Sequence, residues 1–186
     1  DVSNYDSCKE MVEKIKSEHG NIEILINNAG ITKDAPLHKM QKEAWEQVIN
    51  VNLNSIFNLT SNVINEMRNN GFGRIIHISS VNGQKGQFGQ TNYAATKSAL
   101  IGFSKSLTLE SASKGITSNV IAPGYINTEM VAAIREDILN KIVDTIPTKR
   151  LGKSGEIAEM VLYLVSDKAS YINGATLSIN GGLWMD

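Results

Sequence analysis

Ile22-Glu23-Ile24-Leu25-Ile26-Asn27-Asn28-Ala29-Gly30 is the stretch on which the fold turns. A β-branched run stops at small and polar residues, which predicts a short strand over Ile22–Ile26 leading into a turn. Before it, Cys8, Met11, Val12 and Ile15 form an apolar stripe at helical spacing between Asp6 and Glu18, and Gly20 supplies a stop. After it, Trp45, Val48, Asn52, Ile56, Leu59, Val63 and Met67 share one face of a helix predicted from Ala44 to Met67, broken by Gly71 and Gly73. The alternation then repeats. A strand is predicted over Arg74–Ser79, a glycine-rich loop over Gly83–Gly89, and a helix over Asn92–Ser113 closed by Gly115. Ile116–Ala122 reads as a strand ended by Pro123-Gly124. Two shorter helices follow near Thr128–Asp144 and Ser154–Ser166, then a last strand over Ala175–Ile179.

Strands alternating with helices imply parallel βαβ units, hence an α/β fold with a doubly wound parallel sheet and helices on both faces. In such sheets ligands bind beyond the carboxyl ends of the strands. The unusual residues fall there: Asn27–Gly30 after one strand, Ser79-Ser80 after the next, Pro123-Gly124 after the third.

Composition narrows the function. The 186 residues suit one domain, 1–186, and are short for two. Eighteen basic residues nearly cancel 19 acidic ones, so no basic field invites nucleic acid or an anionic membrane surface. No apolar run approaches the roughly 18–20 residues of a membrane span. A single cysteine, Cys8, precludes an internal disulfide framework and points to a reducing, cytoplasmic setting. His19, His38 and His77 lack metal-ligand spacing, so no metal site is expected. No G-x-S-x-G elbow surrounds Ser80, which disfavours a serine hydrolase.

Tyr93 and Lys97 stand four apart on a predicted helix and therefore share a face. An ammonium about 5 Å from a phenol contributes about 3 kcal/mol at an effective dielectric near 20, enough to draw the tyrosine pKa down by roughly two pH units. Spacing alone is weak, because Tyr5 and Lys9 share it on a helix face that reads as solvated. Context separates the pairs. Ser80 ends a strand 13 residues before Tyr93. Its hydroxyl is either a turn residue or a donor to a carbonyl oxygen gaining charge. Asn52, on an otherwise apolar stripe, is either a satisfied core amide or part of a polar relay with Ser80, Tyr93 and Lys97.

Taken together, these residues resemble the short-chain dehydrogenase/reductases over essentially the whole chain. Asn27-Asn28-Ala29-Gly30 matches that family's N-N-A-G motif, Asn52, Ser80, Tyr93 and Lys97 its Asn-Ser-Tyr-Lys tetrad, and Pro123-Gly124 with Thr128 its nicotinamide-side loop. Ser79–Tyr93, Pro123-Gly124-Tyr125-Ile126 and Asn180-Gly181-Gly182-Leu183 are similar to the acetoacetyl-CoA reductases of polyhydroxybutyrate synthesis, with the 3-oxoacyl-ACP reductases as an alternative.

The resemblance implies a Rossmann-like sheet and carbonyl reduction with NADPH. Tyr93 would be the general acid. Lys97 would lower its pKa and hold the ribose, Ser80 would polarise the carbonyl, and Asn52 would hold a water. Asp1, Val2, Asn27, Ala29, Gly30, Pro123, Gly124, Ile126 and Thr128 would border the cofactor. Gln87, Phe88, Gln90 and Tyr125 would line the acyl pocket, with Asp34 and Lys39 toward the arm of an acyl-CoA or acyl-ACP. Helices bearing Asn52 and Tyr93, with small Ala95, Ala99 and Gly102, would pack subunits into a homotetramer.

The family's T-G-x-x-x-G-x-G turn is not in this sequence. The match begins near the end of the family's third strand, so the chain corresponds to the C-terminal three quarters of the domain without its N-terminal βαβαβ portion. That portion is about 60 residues, two βαβ steps, and it carries the choice of NADP over NAD. A further alternative is an inactive fragment with only an oligomer-forming role.

Overall fold

The structure, a computed structural model, describes residues 1–132 and 134–185. Helix α1 (Tyr5–His19) begins where the Asn4 side chain accepts the Ser7 N–H at 2.8 Å, and it ends at Gly20. Strand β1 (Ile24–Asn27) follows. Then come α2 (Lys42–Ile49), a π turn at Asn50–Asn54, α3 (Ser55–Asn70) and β2 (Gly73–Ile78). Next are α4 (Val81–Lys85), α5 (Thr91–Ser111) and β3 (Ile116–Pro123). The chain finishes with α6 (Glu129–Ala132), α7 (Glu136–Thr145), α8 (Ser154–Val165) and β4 (Thr176–Ile179).

The four strands are parallel in the order β1-β2-β3-β4, with Asn27 opposite His77, Ile78 opposite Ile121 and Pro123 opposite Ile179. Adjacent residues of β2 point to opposite faces, which splits the core in two. On one face Ile75 packs with Val12, Val63, Met67, Leu107 and Ile116 from α1, α3, α5 and β3. On the other, Ile76 and Ile121 pack with Leu164 of α8 and with Ala169. Ile75 and Ile76 are both fully buried, and burying a side chain of that size contributes about 1.5–3 kcal/mol. The doubly wound α/β architecture expected from the alternation is therefore present. Along the outer strand β1, Ile24 and Ile26 remain 45% and 44% exposed.

Three elements differ from the sequence reading. The helix predicted from Ala44 to Met67 is two helices joined by the π turn, where the Ser55 hydroxyl donates to the Val51 carbonyl. The apolar stripe survives, with Val48, Ile56, Val63 and Met67 buried, although Trp45 at its head is 37% exposed. The glycine-rich loop opens as a helix, α4, because Ser80 caps it by accepting the Asn82 N–H at 3.1 Å. Finally, Thr128–Asp144 divides into α6 and α7, with Arg135 in extended backbone between them. Ala133, within that predicted helix, lies outside the described residues.

Candidate active site

The carboxyl ends of β1, β2 and β3 open onto a cavity of about 330 Å³. Tyr93 and Lys97 reach it from α5, and Ser80 from the end of β2. Gly30 and Asp34 border it from the loop after β1, and Pro123, Gly124, Tyr125, Ile126 and Thr128 from the segment after β3. Gln90 lines it as well.

Packing holds these groups in place. Lys97 is 4% exposed, and its Nζ donates to the Ile78 carbonyl at 2.7 Å. Burial pulls its pKa from the ordinary 10.5 down to about 8. The Ser79 hydroxyl donates to the Lys97 carbonyl at 2.7 Å. A Cβ on Gly83 would stand 2.8 Å from Lys97 backbone and side-chain atoms, so glycine lets α4 press against α5 at this residue. Asn92, fully buried, donates to the Lys33 carbonyl at 3.0 Å and accepts the Tyr93 N–H at 2.7 Å, which ties the base of Tyr93 to the loop after β1.

Tyr93 departs from the sequence expectation. Its pKa is raised, not lowered, chiefly because burial disfavours the phenolate. A hydrogen bond with Ser80 opposes the shift, and the Asp34 carboxylate adds to it. The Lys97 ammonium lies 5.7 Å from the Tyr93 ring centroid and is turned to the Ile78 carbonyl, so the phenol keeps its proton. Ser80 takes the turn role expected of it and also stands beside Tyr93. Its oxygen caps α4, and its hydroxyl faces Tyr93.

Asn52 is fully buried in the π turn behind the cavity. Its Oδ1 accepts the Ile31 N–H at 2.8 Å, and its Nδ2 donates to the Ile31 carbonyl at 2.9 Å and to Thr96 Oγ1 at 3.4 Å. It thus clamps the backbone beside Gly30. π turns inside helices recur at functional positions, and here the turn aims an amide that plain helical spacing does not specify.

The other expected residues are distributed unevenly. Asn28 and Gly30 border the cavity, whereas Asn27 is buried with its Nδ2 3.2 Å from His77 Nδ1, and Ala29 does not line the cavity. Asp1 and Val2 lie apart from it, where the Val2 carbonyl accepts from Asn58 Nδ2 at 3.0 Å. Asn82 Nδ2 donates to Gln90 Oε1 at 3.0 Å, and Gln90 Nε2 donates to Asp34 Oδ2 at 2.8 Å, forming a chain at the cavity. Gln87 lines a neighbouring cleft, and Phe88 is 84% exposed. Positive φ angles at Gly86 (74°) and Gly89 (80°) turn that loop outward. Lys39, in a 3₁₀ turn at Leu37–Lys39, is exposed and lines neither space. Sequence reasoning missed Ser79, Asn82, Asn92 and His77. For His77 the signal was a polar ring inside the β-branched run Ile75-Ile76-His77-Ile78. Among the described residues no group of three His, Cys, Asp or Glu side chains is placed to hold a metal ion, and no helix is long and apolar enough to cross a membrane.

A phenol holding its proton, a hydroxyl beside it and a buried ammonium, gathered beyond the strands of a parallel sheet, are chemically able to deliver a proton to a carbonyl oxygen. Comparison with known proteins agrees. The family model described as enoyl-(acyl carrier protein) reductase matches residues 1–184. A nodulation protein G of Azospirillum brasilense is 57% identical over 98% of this chain and 74% of its own length. An acetoacetyl-CoA reductase of Shinella zoogloeoides is 54% identical over 98% and 76%. A 3-oxoacyl-[acyl-carrier-protein] reductase of Escherichia coli is 49% identical over 99% and 75%. The chain belongs to the short-chain dehydrogenase/reductase family and is an NAD(P)H-dependent oxidoreductase. It spans about three quarters of the length of these relatives.

The residues present fit such a cofactor. A Cβ on Gly30 would sit 3.3 Å from Lys97 Nζ and 3.5 Å from Asn52 Oδ1. The space that glycine leaves open lies beside an ammonium donor that would suit a ribose hydroxyl.

Proposed function

We propose that this protein reduces acetoacetyl-CoA to 3-hydroxybutyryl-CoA with NADPH, in polyhydroxybutyrate synthesis. The observation that carries this reading is the convergence of Tyr93, Ser80 and Lys97 on one cavity, with the Tyr93 phenol held in its protonated form. The bound cofactor supplies the hydride that adds to the carbonyl carbon. Tyr93 gives its phenolic proton to the carbonyl oxygen, and the Ser80 hydroxyl donates a hydrogen bond to that oxygen as it gains charge. Lys97, beside the space at Gly30, would hold the cofactor ribose. Asn52 fixes Ile31, and with it the Gly30 backbone. Gly30, Pro123, Gly124, Ile126 and Thr128 would border the nicotinamide end, with Asn27 and Ala29 shaping the turn beneath it. Asp1 and Val2 remain proposed adenine contacts.

Tyr125, Gln90 and Asp34 would face the acyl group. Residues 1–186 are proposed to work as one domain and to assemble as a homotetramer through α3 and α5. Exposed Phe57 and Leu109 and the open surface at Gly102 support that face. Buried, unpaired Cys8 suits a reducing cytoplasm.

The E. coli relative's name favours a second reading, reduction of 3-oxoacyl-ACP. The test is NADPH oxidation by the chain with acetoacetyl-CoA and with acetoacetyl-ACP in parallel. A higher kcat/KM with the CoA thioester, abolished by Tyr93→Phe, is the expected result. Preference for the ACP thioester selects the second reading, and turnover surviving Tyr93→Phe overturns the assignment of the acid.

A further inference from the structure

Beside the catalytic cavity lies a second cleft of about 390 Å³, between α4 and α7. The two spaces adjoin at Tyr125, which borders both. Its walls combine two ammonium groups, Lys85 and Lys141, with the apolar side chains of Ile138, Ile142 and Leu183. Lys85 Nζ donates to Gln87 Oε1 at 3.1 Å and to the Gly86 carbonyl at 3.4 Å. An ammonium has three donors, so one remains for a ligand. Among the described residues no carboxylate forms an ion pair with Lys85 or with Lys141.

We propose that this cleft takes the phosphopantetheine arm of the thioester substrate, with the arm's phosphate between Lys85 and Lys141. The proposal rests on the thioester reading given above and extends it. The arm is chemically mixed in the same way as the cleft. Its geminal methyl groups suit Ile138, Ile142 and Leu183, its amides suit Gln87, and its phosphate suits two ammonium groups contributed by different helices. Lys39, by contrast, borders neither space, so the basic residues placed along the route from Tyr93 are Lys85 and Lys141. Gln87, which sequence resemblance set in the acyl pocket, becomes a contact to the arm.

The test compares three substrates: acetoacetyl-CoA, acetoacetyl-phosphopantetheine, which keeps the phosphate but lacks the nucleotide, and acetoacetyl-N-acetylcysteamine, which lacks both. In the double variant Lys85→Ala/Lys141→Ala, KM should rise about tenfold for the first two with kcat unchanged, the scale of lost charge-assisted contacts. KM for the N-acetylcysteamine thioester should not move. Binding of CoA by titration calorimetry should weaken by the same factor, a readout independent of turnover. Both lysines are exposed, so neither change threatens the fold.

A KM rise confined to acetoacetyl-CoA would place the contact on the nucleotide and overturn the proposal, as would an equal rise for all three substrates or no rise at all. Those results leave the reductase reading intact, provided the unaltered protein turns over the thioesters. Failure of the unaltered protein either to turn over or to bind any of them overturns that reading and the cleft assignment together.

Discussion

The chain contains the same dipeptide spacing twice, and only one copy sits in a site. Tyr5 and Lys9 lie on α1, and Tyr93 and Lys97 on α5, each pair four residues apart. Tyr5 is 43% exposed and stacks on Phe57 at 6.1 Å. Lys9 is exposed, and α1 packs on the outside of α3. Lys97 is buried, anchored to Ile78, and faces the carboxyl ends of the strands together with Tyr93. The lesson is that spacing makes a pair of neighbours, whereas burial and sheet topology make chemistry. Water around the first pair screens its charges. Around the second, water is scarce enough to move both groups from their ordinary ionisation ranges.

The comparison breaks most directly at the two tyrosines. Tyr93→Phe should lower kcat for carbonyl reduction by about a thousandfold, the scale of a lost general acid, while Tyr5→Phe changes it less than twofold. Steady-state kinetics on both variants decides. Equal losses would mean that burial does not distinguish the pairs.

The next effect concerns stability. His77 is fully buried between Asn27 and Ser118, and burial, aided by Lys97, pulls its pKa from 6.5 to about 4. Its folded form is neutral. As pH falls below about 6.5 the unfolded chain takes up this proton and the folded chain does not. Stability should drop until about pH 4, by roughly 3 kcal/mol in total. Urea unfolding between pH 7 and pH 4 measures the slope, and His77→Asn should flatten it. An unchanged slope would put the acid sensitivity elsewhere.

Asn52→Ala sharpens the comparison from behind the site. It strips the buried Ile31 N–H and carbonyl of their partners, which should cost about 2 kcal/mol of stability in chemical denaturation. Replacing Asn54, exposed two residues away, should cost far less. The smallest effect contrasts two glycines. Gly30→Ala places a methyl 3.3 Å from Lys97 Nζ and should raise the cofactor KM about fivefold, or about 1 kcal/mol. Gly102→Ala meets nothing within 4 Å and should leave KM unchanged. Equal KM values for the two variants would remove the Gly30 space from cofactor binding.

Much of this architecture was legible in advance. The β-branched runs marked all four strands to within two residues, and Gly20, Gly71 and Gly115 each stood where a helix ends. The order and spacing of Asn52, Ser80, Tyr93 and Lys97 drew attention to the residues that the fold gathers at and behind one cavity. Legibility failed where the cause is a contact between distant segments. The π turn is stabilised by Asn52 reaching Ile31, 21 residues away, and no periodicity announces it. The outward turn of Phe88 and the placement of Gln87 in a second cleft depend on two glycines adopting positive φ. The Tyr93 pKa moves up where the spacing predicts a fall, because burial disfavours the phenolate while the Ile78 carbonyl holds the ammonium elsewhere.

The sequence by itself determined the alternation of strand and helix, the side chains available for proton transfer, and the absence of a charge field suited to nucleic acid. These follow from local periodicity and composition, which the chain carries without folding. The tertiary structure alone decided which tyrosine–lysine pair is desolvated and in which direction its ionisation moves. It also decided where a polar ring can stay neutral inside the sheet and how Lys85 and Lys141 come to border one cleft. Desolvation and long-range contact are properties of what surrounds a residue, and only the packed chain supplies the surroundings.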